Sequence, residues 1–595
     1  MYYPKLTEIA QSRLTTDVFR GFNHNLRIDD GEWFDEKNLS SSNYPLFSQR
    51  EQRGIIKQLN QPTGMLAKDS LLYVDDGVLY FNGQPQILQG IVFNDQPKQM
   101  VSMGAYAVIF PDKVYFNTQD ASDYGRLEAR YTSADGVTIT FSPSRADGSA
   151  FNAVASPTEP ENPTNGMIWL DTSASPHIYK QYAAASSSWI AIATTYVKIE
   201  APGIGKAFEI DDGVSISGVT YSGENANIQE QLGDLNTDHM IYDKGDDYII
   251  VIGVLNEQYQ QTTGNVTVER LCPEMDYVTE SGNRIWGCRY GFQNGKMVNE
   301  IYACKLGDFR NWRCYAGLST DSYAVSVGTD GRFTGAVTYQ GYPTFFKEDC
   351  LHKLYGSYPA QYQVSTIMCR GVQQGSEKSL CIVNEILYYK SRSDVCAFDG
   401  SMPSGISDEL GGVKYYEAVA GSHLGKYYIS MHDASGVYSM FTYDTEKGLW
   451  HKEDDTAVMQ FANVRGDLQY IDNETKQLIS ATGMSGELER DIEWAAESGI
   501  QGYEFPEEKY LGRYNIRARL AENAELSMMI EYDSEGGWED MGTWRGNALT
   551  GTINIPVIPR RCDHLRLRLE GKGDVKIYSI ARMLEGGSDT SWHPR

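Results

Sequence analysis

One unit recurs along most of this chain and limits its fold more than any other feature. A short apolar strand runs into a turn of Asp, Asn or Gly, and a second strand returns. Leu71–Gly83 reads LLYVDDGVLYFNG, Ala107–Asn117 reads AVIFPDKVYFN, and Phe345–Gly356 reads FFKEDCLHKLYG. Ile285–Trp312, Ile386–Gly400, Lys426–Glu453 and Leu468–Ser480 repeat the pattern. Alternating apolar and polar residues between such turns mark antiparallel strands with one buried face. A spacing of roughly 40 residues per unit is that of propeller blades. The expected fold class is all-β: a β-propeller with an extended N-terminal arm, an inserted small β-module and a C-terminal β-sandwich.

Length sets the scale. The chain has 595 residues, and a propeller of six to eight blades uses roughly 250–350 of them. The expected division is an arm over 1–60, a propeller over 61–118 and 229–485, an inserted module over 119–228, and a sandwich over 486–595. For residues 1–60 two readings stand: an arm that wraps a neighbouring subunit, or a first propeller strand. Phe19, Phe22, Trp33 and Phe34 are the candidate inter-subunit anchors, since these aromatics recur without a helical period. The insert is marked by Ser, Ala, Thr and Gly and by the proline-spaced stretch Pro157–Pro163. Within it, Trp169, Tyr179, Tyr182 and Trp189 either form a platform that stacks on sugar or fill the module's own core. The core reading is preferred, because so small a unit needs its aromatics inside. From Pro506 to Met583 five regular strands separated by Gly-rich turns read as the sandwich.

Charge excludes one class of function. The formal net charge is −27, and phosphate binding needs clustered Lys and Arg. DNA meeting such a surface slides past it. The nine cysteines contain no CxxC pair and are odd in number, which reads as reduced, buried thiols in a chain folded in the cytoplasm. The N-terminal text lacks the apolar stretch of a signal peptide, and no apolar run is long enough to span a bilayer.

Catalytic signatures are hard to find. Sialidase-type propellers repeat an Asp-box, and the single approach, Asp533–Trp538, lies outside the blades. The nine histidines are scattered, with no HExxH spacing. There is no P-loop and no GxSxG elbow. Turns such as Asp243–Asp247 and Asp444–Gly448 carry carboxylates in the way tight turns do. The expectation is a chain that is not an enzyme and holds no cofactor and no metal.

The blade text resembles a family of tailed-bacteriophage structural proteins. The matching residues are Asn283–Cys288 with Asn299–Asp308 and Asn311-Trp312, Phe345–Glu348 with Lys353–Gly356, Ser376–Ser379 with Tyr388-Tyr389, and Trp450–Glu453. Asp30–Asp35 with Asn38-Leu39 adds an N-terminal match, so the resemblance covers 15–60 and about 240–480. Asn165–Asp171 resembles modules of other phage tail proteins. The family comprises packaged-DNA stabilisation proteins, similar to the propeller-built tail nozzle or hub of short-tailed phages. The resemblance implies a virion component made in the host cytoplasm, with six copies in a ring around the DNA channel. It would retain packaged DNA and then allow its ejection. Implied partners are other copies of the chain, adaptor or portal-proximal proteins, tail fibres or spikes, and packaged DNA passing without sequence-specific contact. The alternative is a phage receptor-binding or adhesion protein with a glycan-binding insert or sandwich.

Overall fold

A computed structural model describes residues 11–586 except 175–176, 294 and 559. Six four-stranded antiparallel sheets and a seventh of five strands follow one another along the chain. They span 62–86, 99–126, 277–326, 335–368, 381–405, 415–454, and finally 458–480 completed by Gly54–Gln58. These are called blades one to seven. In several blades the second strand is buried on both faces: Tyr106–Phe110, Tyr342–Phe346 and Ile386–Lys390 are buried at every position after the first. Such strands lose the period-two signal because each face meets a neighbouring sheet.

The neighbours are joined by apolar clusters that run full circle. Leu72 and Val74 of blade one pack with Ile109 and Phe116 of blade two. Val108 and Phe110 then pack with Ile285 and Cys304 of blade three, and Trp286 and Ile301 with Phe345 and Leu354 of blade four. Tyr339 and Phe346 meet Leu387 and Phe398 of blade five, and Val383 and Val395 meet Ile429 and Trp450 of blade six. Met440 meets Leu468 and Tyr470 of blade seven. Ile471 and Leu478 of blade seven return to Met65 and Tyr73 of blade one. Seven inter-blade cores closing on themselves are the packing logic of a seven-bladed propeller. The closure is made by sequence-distant chain: Gly54–Gln58 pairs antiparallel with Gln477–Ser480 as the fourth strand of blade seven.

The expected arm is therefore corrected. Residues 11–58 stay on their own chain. Gln11–Thr16 pairs along Val575–Gly586, and Glu32–Lys37 pairs with Glu493–Ser498, so the segment supplies edges to both sheets of the C-terminal sandwich before closing the propeller. Phe19, Trp33 and Phe47 are buried with Trp494, Ile516 and Leu567 in the sandwich core. Phe22 is buried against Trp450 and Phe441 of blade six. Phe34 stacks on His24 at 4.3 Å and lies under the Arg566 guanidinium. The four candidate inter-subunit anchors thus hold the arm to its own body. Aromatic text without period announces burial, and it does not say against which surface. The stretch Glu487–Tyr503, read as a possible helical turn, contributes the strands Glu487–Leu488 and Glu493–Ser498 instead.

The insertion between blades two and three is larger than the text suggests. An eight-stranded sheet spans 129–270 and includes Asp238–Gly245 and Tyr248–Ile252, which the sequence reads as resumed blade. A buried apolar strand looks alike in either sheet. This sheet closes over its own core of Phe141, Ile199, Ile249 and Val268. The helix Ala226–Asp234 packs into it through Ile228 and Leu232, capped by Asn225, whose side chain accepts from the Asn227 and Ile228 amides. A separate four-stranded sheet, 154–191, sits within the same insertion.

Candidate functional site

Two places could carry function: the propeller axis and the seam where the arm joins propeller to sandwich. The axis is lined by the first strand of each blade, and the first strands of neighbouring blades are in contact around most of the ring. Side-chain amides and hydroxyls stitch them. Gln460 donates to the Met65 carbonyl at 2.7 Å and accepts from its amide at 3.2 Å. Gln99 donates to the Asp276 carbonyl and accepts from the Val278 amide. Thr279 and Thr338 hydroxyls meet at 3.0 Å. Lys378 reaches the Met459 carbonyl of blade seven at 3.1 Å, and burial pushes its ammonium down from the ordinary lysine range, Glu377 opposing. Only Glu280 and Glu417 among these first strands are carboxylates. Glu280 accepts from the Asn283 amide in its own turn, and Glu417 lies 3.7 Å from His432.

The seam concentrates buried charge. Arg53 donates to Glu453 and Asp454, both at 2.6 Å, and lies over the Tyr470 ring. Arg50 pairs with Glu489 and donates to the Asn38 side chain at 2.7 Å. Glu36, whose carboxylate is fully buried, meets His451 at 2.9 Å and also accepts from the Lys452 amide. Burial pushes the Glu36 carboxyl above the usual carboxylate range, with His451 pulling the other way. Two glycines allow the arm to lie this close. A Cβ at Gly54 would meet the Ser485 carbonyl oxygen at 1.9 Å, and one at Gly21 the Trp450 carbonyl oxygen at 2.2 Å. The seam binds three parts of one chain together, a structural role.

The aromatic residues proposed for glycan stacking divide. Tyr179 lies in the module core with Ile168 and Leu170, and its hydroxyl donates to the Leu255 carbonyl at 2.6 Å. Trp169, Tyr182 and Trp189 do not belong to that core. Cross-strand register places Trp169 opposite Lys180, and Tyr182 opposite Trp189, on the other face of the sheet. Trp169 is buried there by Trp189, 5.3 Å away, and by the Lys180 ammonium 4.7 Å above its ring. Tyr182 and Trp189 are half-buried. Trp169 is buried, as the core reading expects, but on the face opposite the cluster of Ile168, Leu170 and Tyr179, and Tyr182 and Trp189 cover it from the half-exposed side.

The nine cysteines are free, seven of them buried. Among the described residues no group of three or more His, Cys, Asp or Glu is arranged to hold a metal ion. Asp444, in one of the turns with carboxylates, accepts from Ser41 and Lys447. No helix among the described residues is long and apolar enough to cross a membrane.

No family model and no curated protein matches the chain. Among solved structures it is similar to an exo-β-1,3-galactanase from Phanerochaete chrysosporium, with 9% identity, 51% of this chain and 94% of that one covered, and a TM-score of 0.20. It is similar to a family 43 arabinoxylan arabinofuranohydrolase from Bacillus subtilis, with 8% identity, coverage of 52% and 95%, and a TM-score of 0.16. It is also similar to the extracellular domain of a hybrid two-component system from B. thetaiotaomicron, with 8% identity, coverage of 93% and 98%, and a TM-score of 0.14. Against the expectation that the chain is not an enzyme, glycoside hydrolases stand among these likenesses. At such scores they bring no active-site residue across to this chain.

Proposed function

We propose that this chain is a structural protein of a tailed-bacteriophage virion, a tail nozzle or hub subunit that assembles as six copies around the DNA channel, retains packaged DNA and lets it pass at ejection. The observation that carries the reading is a projecting hairpin whose end holds two exposed apolar side chains facing each other across the strands. In blade three, Arg284–Gln293 pairs with Lys296–Ala303 well past the reach of the flanking strands: the first strand pairs no further than Cys288 and the fourth no further than Glu300. The projecting part carries Phe292 opposite Met297, 79% and 48% exposed. Large apolar side chains held clear of the fold favour contact with another surface. Sequence resemblance to nozzle and hub proteins supports a neighbouring copy as that surface. A net charge of −27 suits a channel wall past which DNA must slide.

Native mass spectrometry and sedimentation of the full chain test the proposal. A closed hexamer is expected. A monomer persisting at tens of micromolar (roughly the regime of weak transient contacts), together with absence of the chain from purified particles, would overturn it.

A further inference from the structure

We infer that the outer face of one sandwich sheet docks, cation to carboxylate, on the insertion of a second copy of this chain. The inference rests on the ring proposed above for its partner and adds which surfaces meet. The sheet contains Gln11–Thr16, Lys509–Leu520, Thr550–Pro556 and Val575–Gly586. Its inner face gives Tyr514, Ile516, Ala518 and Leu520 to the core. The period of two turns Arg513, Arg517 and Arg519 outward. Register adds Arg13, across Met583 from Arg513, and Lys576, directly opposite Arg519. The four arginines are exposed and Lys576 is half-buried.

None of these five cations forms an ion pair among the described residues. Glu585 is the single acid in the four strands, and it accepts from Gln11. The other sheet of the sandwich is the contrast. Each Lys and Arg in its strands (Lys37, Arg545, Arg566, Arg568 and Lys572) is held by a carboxylate. Like charges directly opposite each other destabilise a sheet. Arg519 beside Lys576 with no anion between them therefore points to a partner that brings one.

The insertion carries the matching charge. Residues 129–270 hold 18 acidic residues against seven basic ones. The helix Ala226–Asp234 presents Glu230 and Asp234, both exposed, and no Lys or Arg. Carboxylates four residues apart on a helix repel, and one in the last turn opposes the helix dipole. Neither forms an ion pair among the described residues. A cation from outside relieves both.

The fold keeps these two faces of one copy apart. The insertion lies between blades two and three, and the sandwich is tied to blade six through the arm, by Arg53–Glu453 and Glu36–His451. Three blades separate them in either direction round the disc. One surface fitting a different surface on the far side makes a head-to-tail contact, the kind that closes into rings. Blade three, beside the insertion, bears the Phe292 hairpin, so one interface can hold both contacts. Nucleic acid would satisfy the sheet and leave the acids of the insertion unmatched, whereas a second copy satisfies both.

Charge reversal read by sedimentation velocity tests the inference. Arg517→Glu with Arg519→Glu should keep or raise the parent's thermal midpoint and weaken association about a hundredfold. Glu230→Lys with Asp234→Lys should weaken it likewise. An equal mixture of the two double variants should recover the parent's assembly, since each reversed face then meets a reversed insertion and a six-membered ring alternates them. Either double variant assembling like the parent, or a mixture that stays dissociated, would overturn the inference and leave the ring to be built from another face. A labelled single-stranded oligonucleotide that binds the parent and not the Arg517→Glu, Arg519→Glu variant would overturn it in favour of nucleic acid. Dimers or open chains that obey the swap would support it and overturn the closed hexamer, and a parent that stays monomeric would overturn both.

Discussion

Arg53 and Glu453 meet at 2.6 Å with less than a tenth of either side chain exposed, and the contact joins the arm to the fourth strand of blade six. Glu453 is held from its other oxygen by the Thr442 hydroxyl at 2.7 Å. Removing one partner of such a pair leaves a buried charge uncompensated, at about 3–5 kcal/mol, whereas replacing both together is far milder. Arg53→Met should lower propeller stability by that amount in urea unfolding. Adding Glu453→Leu together with Asp454→Asn, since Arg53 also holds Asp454 at 2.6 Å, should restore much of it. A single variant within about 1 kcal/mol of the parent (the scale of an exposed pair) would show that the seam is solvated.

His352 gives the propeller an acid limit. It lies fully buried between the hydroxyls of Thr329 and Thr366, each 2.9 Å from a ring nitrogen, with Cys350 and Lys347 nearby. Burial, and then the Lys347 charge, pushes the imidazole down to about 4. The unfolded chain takes up this proton near 6.5 while the folded one resists it. Stability from this group is therefore intact above about 6.5 and is lost as pH falls toward 4, by about 3 kcal/mol in all. Urea midpoints across that range should fall more steeply in the parent than in His352→Gln. Parallel slopes would refute the assignment.

Glu36 works with the opposite sign. Its folded carboxyl is raised above the unfolded value, chiefly by burial. The folded state thus holds the proton more tightly, so the stabilisation is present at acid pH and lost as pH rises through the unfolded value and beyond the folded one. Glu36→Gln, which keeps an oxygen for His451 and the Lys452 amide, should match the parent near pH 4 and exceed it near pH 8. Thermal midpoints at the two pH values decide the matter. A variant less stable at both would mean that the His451 ion pair outweighs the cost of burial.

The sequence shows the hairpins and hides how they join. Leu71–Gly83 and Ala107–Asn117 are legible because each carries apolar strands broken by turn residues, and turn chemistry is local. The closing strand Gly54–Gln58 (GIIKQ) is five residues with no hairpin partner beside it, and it pairs with Gln477–Ser480 at the far end of the propeller text. Phe19 and Trp33 announce burial, yet nothing local says that Trp494 and Ile516 cover them. The junction of arm and sandwich is less legible still. Asp30 and Arg582 are 552 residues apart in sequence, and neither sits in a motif that points to the other.

The exposed tip of blade three makes the assembly reading testable without disturbing the fold. Phe292 is 79% exposed and packs against no cluster, so charging it removes nothing from the core. Surface changes of this kind usually stay within about 0.5 kcal/mol. Phe292→Asp should keep the parent's thermal midpoint and shift the sedimentation profile from a ring to smaller species. An apolar anchor at the centre of an interface is worth about 2 kcal/mol or more, and a buried charge in its place worsens the loss. Met297→Lys, on the cross-strand partner, should act in the same direction. If both variants keep the parent's oligomeric state, the hairpin is not the contact between copies, and the ring would have to be built from another face.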